Sequence, residues 1–319
     1  MTAIRRIATP LRIRAALTAL SLVGIFALPY VIWRNWAANV GGEVGAVGGG
    51  IPSFWGFDAH AYWAADPSNL YAEAFGNTSG LDAFRYTPPL GQLFSFFGAL
   101  PWEVFFGLYF LAMAGILLWI GGRWTLALVG LPPVTLELFH GNIHLFMALA
   151  IYLGFRFPAA WAFVILAKIT PGVGALWFVF RGEWRAVAQI AVATGGIAIV
   201  SWLIAPDLWP QYIAAMRDNL AVRPPSGYPF DVPQAIRLPI AAAVVWWGAR
   251  TDRRWTVPVA ATIGLPLIWW HGLTILLAAI PLIREDRRRD EGDGLALDAS
   301  PERATASIST ASRTARGHG

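Results

Sequence analysis

The chain has no cysteine, which excludes disulfide frameworks and thiolate metal sites. Charge is scarce: 13% of the 319 residues are charged and 56% are apolar, against roughly a quarter charged in soluble domains. No Asp-x-Asp pair is present to hold a metal-bound diphosphate, so neither metal nor cofactor is expected. No fixed-period repeat or inverted repeat of the transporter kind is evident. The net charge of +5 does not point to nucleic acid, because the arginines flank apolar segments instead of forming a groove with interleaved aromatics.

What is abundant is apolar and aromatic. Seventeen Trp and nineteen Phe suit a protein with two membrane–water interfaces to line. The run from Ala15 to Trp33 follows Arg5, Arg6, Arg12 and Arg14, is long enough to span, and reads as an uncleaved first helix. Further apolar segments fall near 89–100, 103–120, 125–139, 143–155, 158–180, 186–205, 235–249 and 256–283. Several are short or broken by Pro and Gly, which is tolerated where a helix packs on protein or lines a cavity. A break near Trp269–Gly272 in the last segment gives about ten passes in all. The expected architecture is therefore an all-α, polytopic transmembrane bundle over 1–284, with a disordered cytoplasmic tail over 285–319.

An arginine-rich N-terminus on the cytoplasmic face puts the 34–87 loop outside. Alternation then places Arg181–Arg185, Arg250–Arg254, Arg284 and Arg287–Arg289 inside, with Arg85, Arg123, Arg156, Arg223 and Arg237 as exceptions outside. Within the outer loop, short interfacial helices are predicted at about 58–65 and 68–75, the first stopped by Asp66–Pro67.

Ionisable residues near or within the membrane are the candidates for chemistry, because the bilayer makes them costly. Asp58 begins a short helix, where it serves as an N-cap, as a catalytic carboxylate, or as both. Arg85 and Tyr86 precede the Pro88–Pro89 pair that leads into a span; Tyr86 reads first as an interfacial anchor, while Arg85 suits an anionic headgroup. His140 and His144 flank Gly141–Asn142 at metal-like spacing, but are assigned no partner carboxylate. Lys168 lies inside an apolar stretch beside Pro171–Gly172, where snorkelling and function are balanced readings. His271 falls on the same side as Asp58 and Arg85. A carboxylate, a guanidinium and an imidazole on one face suit group transfer from a lipid-linked phosphate.

The order of these motifs resembles glycosyltransferase family 87, within the GT-C superfamily of polyprenyl-phosphate-sugar-dependent transferases. Asp58 to Tyr62 match an Asp-x-x-x-Tyr segment, Tyr86-Thr87-Pro88-Pro89 the lead-in to the next span, Gly141-Asn142 a Gly-Gln/Asn turn, Lys168 to Pro171 a Lys-x-x-Pro, and His271 an aromatic-flanked His. The resemblance runs in order from about residue 57 to 282 and implies a GT-C fold in the cell membrane with an extracytoplasmic site. It implies inverting transfer of a sugar, most often mannose, from a polyprenyl-phosphate donor to a glycolipid or glycan acceptor. On that basis Asp58 is the base, His271, Arg85 and Lys168 hold the donor phosphate, and His60, Tyr62, Tyr86 and Asn142 line the substrate pocket. The chain is short for the family, and the 206–234 loop offers only Phe230-Asp231-Val232-Pro233-Gln234 where the family has an Asn-Gln-Ser-like element. A non-enzymatic polyprenyl-lipid carrier or flippase, or a degenerate binding subunit, stands as the alternative reading.

Overall fold

The computed structural model describes Ala19 and residues 55–71, 82–221 and 232–298. Apart from Ala19, the expected first helix at 15–33 lies outside the described residues, as do most of the 34–87 loop, Arg223 and the tail beyond 298. Every regular element among the described residues is helical. The first, α1 (Phe57–Trp63), sits in the 34–87 loop and is followed by a turn in which Asp66 accepts hydrogen bonds from the Ser68 N–H and hydroxyl. Those bonds lower the Asp66 carboxyl below its ordinary range. Ser68–Tyr71 belong to this turn, not to the helix expected at 68–75, and the rest of that stretch is outside the described residues.

Pro pairs open α2 (Pro88–Ser95) and α5 (Pro132–His140), where the missing N–H is no loss. Between them run α3 (Trp102–Gly121) and α4 (Thr125–Val129), which with the intervening turn form one continuous apolar stretch. The chain bends by 110° after α5 into α6 (His144–Gly154). Short helices α7 (Trp161–Ala167) and α8 (Leu176–Phe180) flank the Pro171 break, and α9 (Trp184–Ile204) follows. The remaining helices are α10 (Leu208–Ala221), α11 (Gln234–Arg250), α12 (Thr256–Ile263) and α13 (Ala279–Asp298).

Two helical stretches are long and apolar enough to cross a membrane, Trp102–Val129 and Trp184–Ile204, with a third if α5 and α6 count as one bent span. Large side chains on α9, such as Val192, Ile199 and Leu203, are exposed, as lipid-facing residues are. The core is held by close approach of small residues to Trp161. A Cβ on Gly154 or Gly174 would come within 2.5 and 2.6 Å of its indole, so these glycines let the helices meet around one buried ring.

The contacts sort the chain into two ends. At the arginine end, Arg181 pairs with Asp252 at 2.6 Å, Arg254 pairs with Glu285 and Asp286, and Arg284 donates to the Ile120 and Gly121 carbonyls. The Tyr152 hydroxyl donates to Glu285, and Arg254 lies over the Phe155 ring. At the α1 end, Thr87 donates to the Leu166 carbonyl, Trp63 to Leu100, and Gln92 to Ser201. The 17 residues of α11 separate the two ends by about 25 Å.

This arrangement corrects the sequence-based topology in two places. Segment 88–100 starts and finishes at the α1 end, and segment 158–180 runs to that end and back. Arg123 and Arg156, expected as exceptions, therefore join the arginine end. Arg237 stays at the α1 end, but the residue is only 6% exposed and its guanidinium donates to the Val232, Ile263, Leu265 and Pro266 carbonyls. Its charge is engaged inside the protein and so says little about topology. The break in the last segment begins at Gly264, earlier than expected, and a 3-10 helix over Trp270–Ala278 resumes the path. Helix α13 continues past Arg284, the last residue of the expected membrane bundle, to Asp298.

The absence of cysteine makes the topology directly testable by single-cysteine labelling. Arg123→Cys and Arg156→Cys should react from the same side of sealed vesicles as Asp252→Cys, and Ser68→Cys from the opposite side. Labelling of the Arg156 position from the Ser68 side would contradict the path described here.

Candidate functional site

The bend between α5 and α6 organises the α1 end. Gly141 closes α5 in the left-handed region at φ +67°, and a Cβ there would sit 2.7 Å from the Ala59 Cβ. A bare backbone at this position lets α1 dock directly on the bend. Gly56, at φ +82°, completes the contact: its N–H donates to the Phe139 carbonyl at 2.8 Å. Asp58 is thereby set in the first turn of α1 and over the bend. It is not the helix cap, a position taken by Gly56.

The Asp58 carboxylate accepts a hydrogen bond from the Asn142 amide at 2.7 Å. The Asn142 oxygen accepts the Ile143 N–H at 2.7 Å, which fixes the amide so that its nitrogen faces Asp58. That nitrogen also lies 3.4 Å from His271 Nε2, which is 4.0 Å from Asp58 Oδ2. The Tyr109 hydroxyl donates to the Asn142 carbonyl at 3.2 Å. His271 is presented by the 3-10 segment, which packs on both α5 and α6. Its ring contacts those of His140 and His144, each at 5.3 Å. Asp58 keeps about a quarter of its side chain exposed and His271 about an eighth, so the pair is partly accessible and the space before it is the candidate recess.

Behind this pair, Lys168 Nζ donates to His144 Nε2 at 3.0 Å and lies 5.6 Å from the centre of the Tyr86 ring. The charges of Asp58, Glu137 and Arg85 all act on it. Tyr86 is buried, with its hydroxyl 2.7 Å from that of Tyr62, so it is a wall of the recess and not an interfacial anchor. Burial raises both phenols well above their ordinary range, and both remain protonated hydrogen-bonding groups. Tyr62 also stacks on Phe94, with ring centres 4.8 Å apart.

Of the residues singled out in the sequence, Asp58, Tyr62, Tyr86, Asn142, Lys168 and His271 form one group, with Arg85 acting on it through its charge. His60 does not join them. Its Nδ1–H donates to Asp82 at 2.5 Å, and its ring packs between Trp63 and Trp102. On a helix, side chains two residues apart point in widely different directions, whereas Asp58 and Tyr62 share a face.

Glu137, His140 and His144 were not assigned to the site from the sequence. Glu137 is fully buried, accepting from His144 Nδ1 at 3.0 Å and from the Leu145 N–H at 3.1 Å. It is the partner carboxylate that His144 lacked in the sequence reading. An ionisable residue in the apolar run 132–140 was the available signal.

The ligand atoms of Asp58, His140 and His271 lie within 4.8 Å of one another, a donor set that zinc accepts. The fixed Asn142 amide between Asp58 and His271 is a hydrogen-bond donor, however, which suits a carboxylate or an incoming phosphate and opposes a cation. We therefore expect the melting temperature of the purified protein to be unchanged by zinc or by chelator. A rise with zinc that disappears in His140→Ala would assign these three side chains to a metal.

No curated protein and no solved structure matches the chain significantly. A family model does, that of glycosyltransferase family 87, over residues 84–293. The matched region holds Arg85, Tyr86, Asn142, Lys168 and His271, while Asp58 lies upstream of it. The match spans more than half of a helical, apolar chain whose motifs gather at one recess, and the protein belongs to glycosyltransferase family 87.

Proposed function

We propose that this membrane glycosyltransferase moves a sugar, mannose in the first instance, from a polyprenyl-phosphate donor to the hydroxyl of a glycolipid or glycan acceptor. The observation that carries the proposal is the Asn142 bridge, which holds a carboxylate and an imidazole side by side at one accessible recess. In this reading the arginine end faces the cytoplasm and the recess opens on the opposite, extracytoplasmic side of the cell membrane. The N-terminal segment and the legs between the two ends would together supply the approximately ten passes of a GT-C bundle.

The chemistry is a single displacement. The acceptor O–H proton passes to the Asp58 carboxylate as the acceptor oxygen attacks the anomeric carbon from one face. The bond from that carbon to the phosphate oxygen breaks on the other face, and polyprenyl phosphate leaves with the electron pair. Inversion follows from having one attack and one departure. His271, Lys168 and Arg85 are placed to offset the charge that builds on the leaving phosphate. Asn142 holds Asp58 in its acceptor-facing position, while Tyr62 and Tyr86 wall the sugar site. No step calls on a metal or cofactor.

The test is transfer of labelled mannose from synthetic polyprenyl-phosphate-mannose into a membrane-lipid extract. Asp58→Asn should abolish transfer while leaving expression and donor binding nearly intact, and retained turnover would remove Asp58 as the base. His271→Ala should weaken donor binding by about tenfold, the scale of one lost charge-assisted hydrogen bond. Unchanged affinity in that variant would remove His271 from the phosphate site. Donor binding without transfer by the wild type, with complete extracts and other donor sugars, would favour a lipid carrier.

A further inference from the structure

Lys168 is the only lysine in the sequence; every other basic side chain apart from histidine is arginine. That single ammonium sits beside the Asp58–His271 pair, as the half-buried end of a hydrogen-bonded chain whose other members are fully buried. Glu137 is 0% and His144 2% exposed, and the bonds run Glu137–His144 at 3.0 Å and His144–Lys168 at 3.0 Å. An ammonium only donates and a carboxylate only accepts, so His144 carries its proton on Nδ1 and accepts at Nε2. One neutral tautomer thus links a buried negative charge to a positive one across the width of an imidazole.

From this we infer that Glu137 and His144 are positioning residues for Lys168: they fix the ammonium at the recess and leave its remaining N–H donors for the donor phosphate. The inference rests on the proposed transferase reading and adds two residues that the family's motifs do not supply. It accounts for the choice of lysine. A compact ammonium has three donors on a flexible stem, so one bond to His144 leaves two, whereas a planar guanidinium would need a flat acceptor opposite it. It also accounts for a carboxylate in this buried position: both Glu137 oxygens have a partner, the His144 ring and the Leu145 N–H, and Lys168 stands at the far side of that ring. The left-handed Gly141 and the bend are what allow Glu137 to reach both the Leu145 N–H and the His144 ring.

Glu137→Gln breaks the chain by a definite route. If the new amide turns its NH2 to His144, that ring must accept at Nδ1 and donate at Nε2, placing two donors face to face at Lys168. If the NH2 turns instead to Leu145, two donors meet there. His144→Leu removes the acceptor outright, while His144→Gln can restore both a donor for Glu137 and an acceptor for Lys168.

The unique lysine gives a readout independent of turnover. The full chain in nanodiscs, labelled with 15N-lysine, presents one side-chain nitrogen signal. The expected signal is that of an ammonium with slowly exchanging protons, lost to fast exchange in Glu137→Gln and His144→Leu and regained in His144→Gln. In parallel, Glu137→Gln and His144→Leu should raise the KM for synthetic polyprenyl-phosphate-mannose about tenfold and leave the acceptor KM unchanged, with His144→Gln near wild type. A neutral amine in the wild type, or a lysine signal and donor KM unmoved in both disruptive variants, would overturn the inference. Turnover retained by Asp58→Asn alongside the expected lysine signals would instead remove the proposed base and leave the lysine chain standing.

Discussion

The amide of Asn142 has only one orientation available to it, and the polar centre is built around that fact. Its oxygen is committed to the Ile143 N–H at the start of α6, so its nitrogen must face Asp58 and His271. Three chain segments distant in sequence, the outer-loop helix, the α5–α6 bend and the 3-10 stretch after Gly264, are joined at this one side chain. Remove the bend and none of the three has a reason to meet. The left-handed Gly141 is therefore as much a part of the site as the groups that carry charge.

An apolar chain can hold such a centre only if its polar groups satisfy one another. Here they do so in two layers. Asp58, Asn142 and His271 face the recess, and Glu137, His144 and Lys168 lie behind them, each bonded to the next. The opposite end of the molecule uses a different chemistry, in which arginines pair with carboxylates near the surface and with the last carbonyls of α3. The contrast suits a protein with one face given to catalysis and one to anchoring. It also fits the use of the sequence's one lysine, a small multi-donor charge, at the α1 end.

Much of this was legible in the sequence, because the relevant signals are local. Asp58 and Tyr62 are four residues apart and share a helix face, the Pro88–Pro89 pair marks a helix start, and Gly141–Asn142 marks a turn. What failed were inferences needing long-range information. Apolar length alone cannot distinguish a segment that crosses from one that returns, so 89–100 and 158–180 were read as single passes and Arg123 and Arg156 were placed on the other end. The resemblance put His60 in the pocket with Asp58, whereas two residues along a helix turn a side chain well away, and His60 bonds Asp82 instead. Glu137 was absorbed into its apolar surroundings, and only the bend reveals that it caps α6 and holds His144. Read from its own segment Tyr86 is an interfacial anchor, and only the resemblance put it in the pocket, because its burial depends on Tyr62 and Lys168 arriving from elsewhere.

The most direct test of the central claim is to locate the donor itself, by determining the structure of Asp58→Asn bound to synthetic polyprenyl-phosphate-mannose. If the bend assembles the transferase centre, the phosphate will lie within hydrogen-bonding distance of His271 Nε2 and Lys168 Nζ, with the anomeric carbon turned towards residue 58. A phosphate held at the arginine end, with the recess around Asn142 empty, would contradict the account.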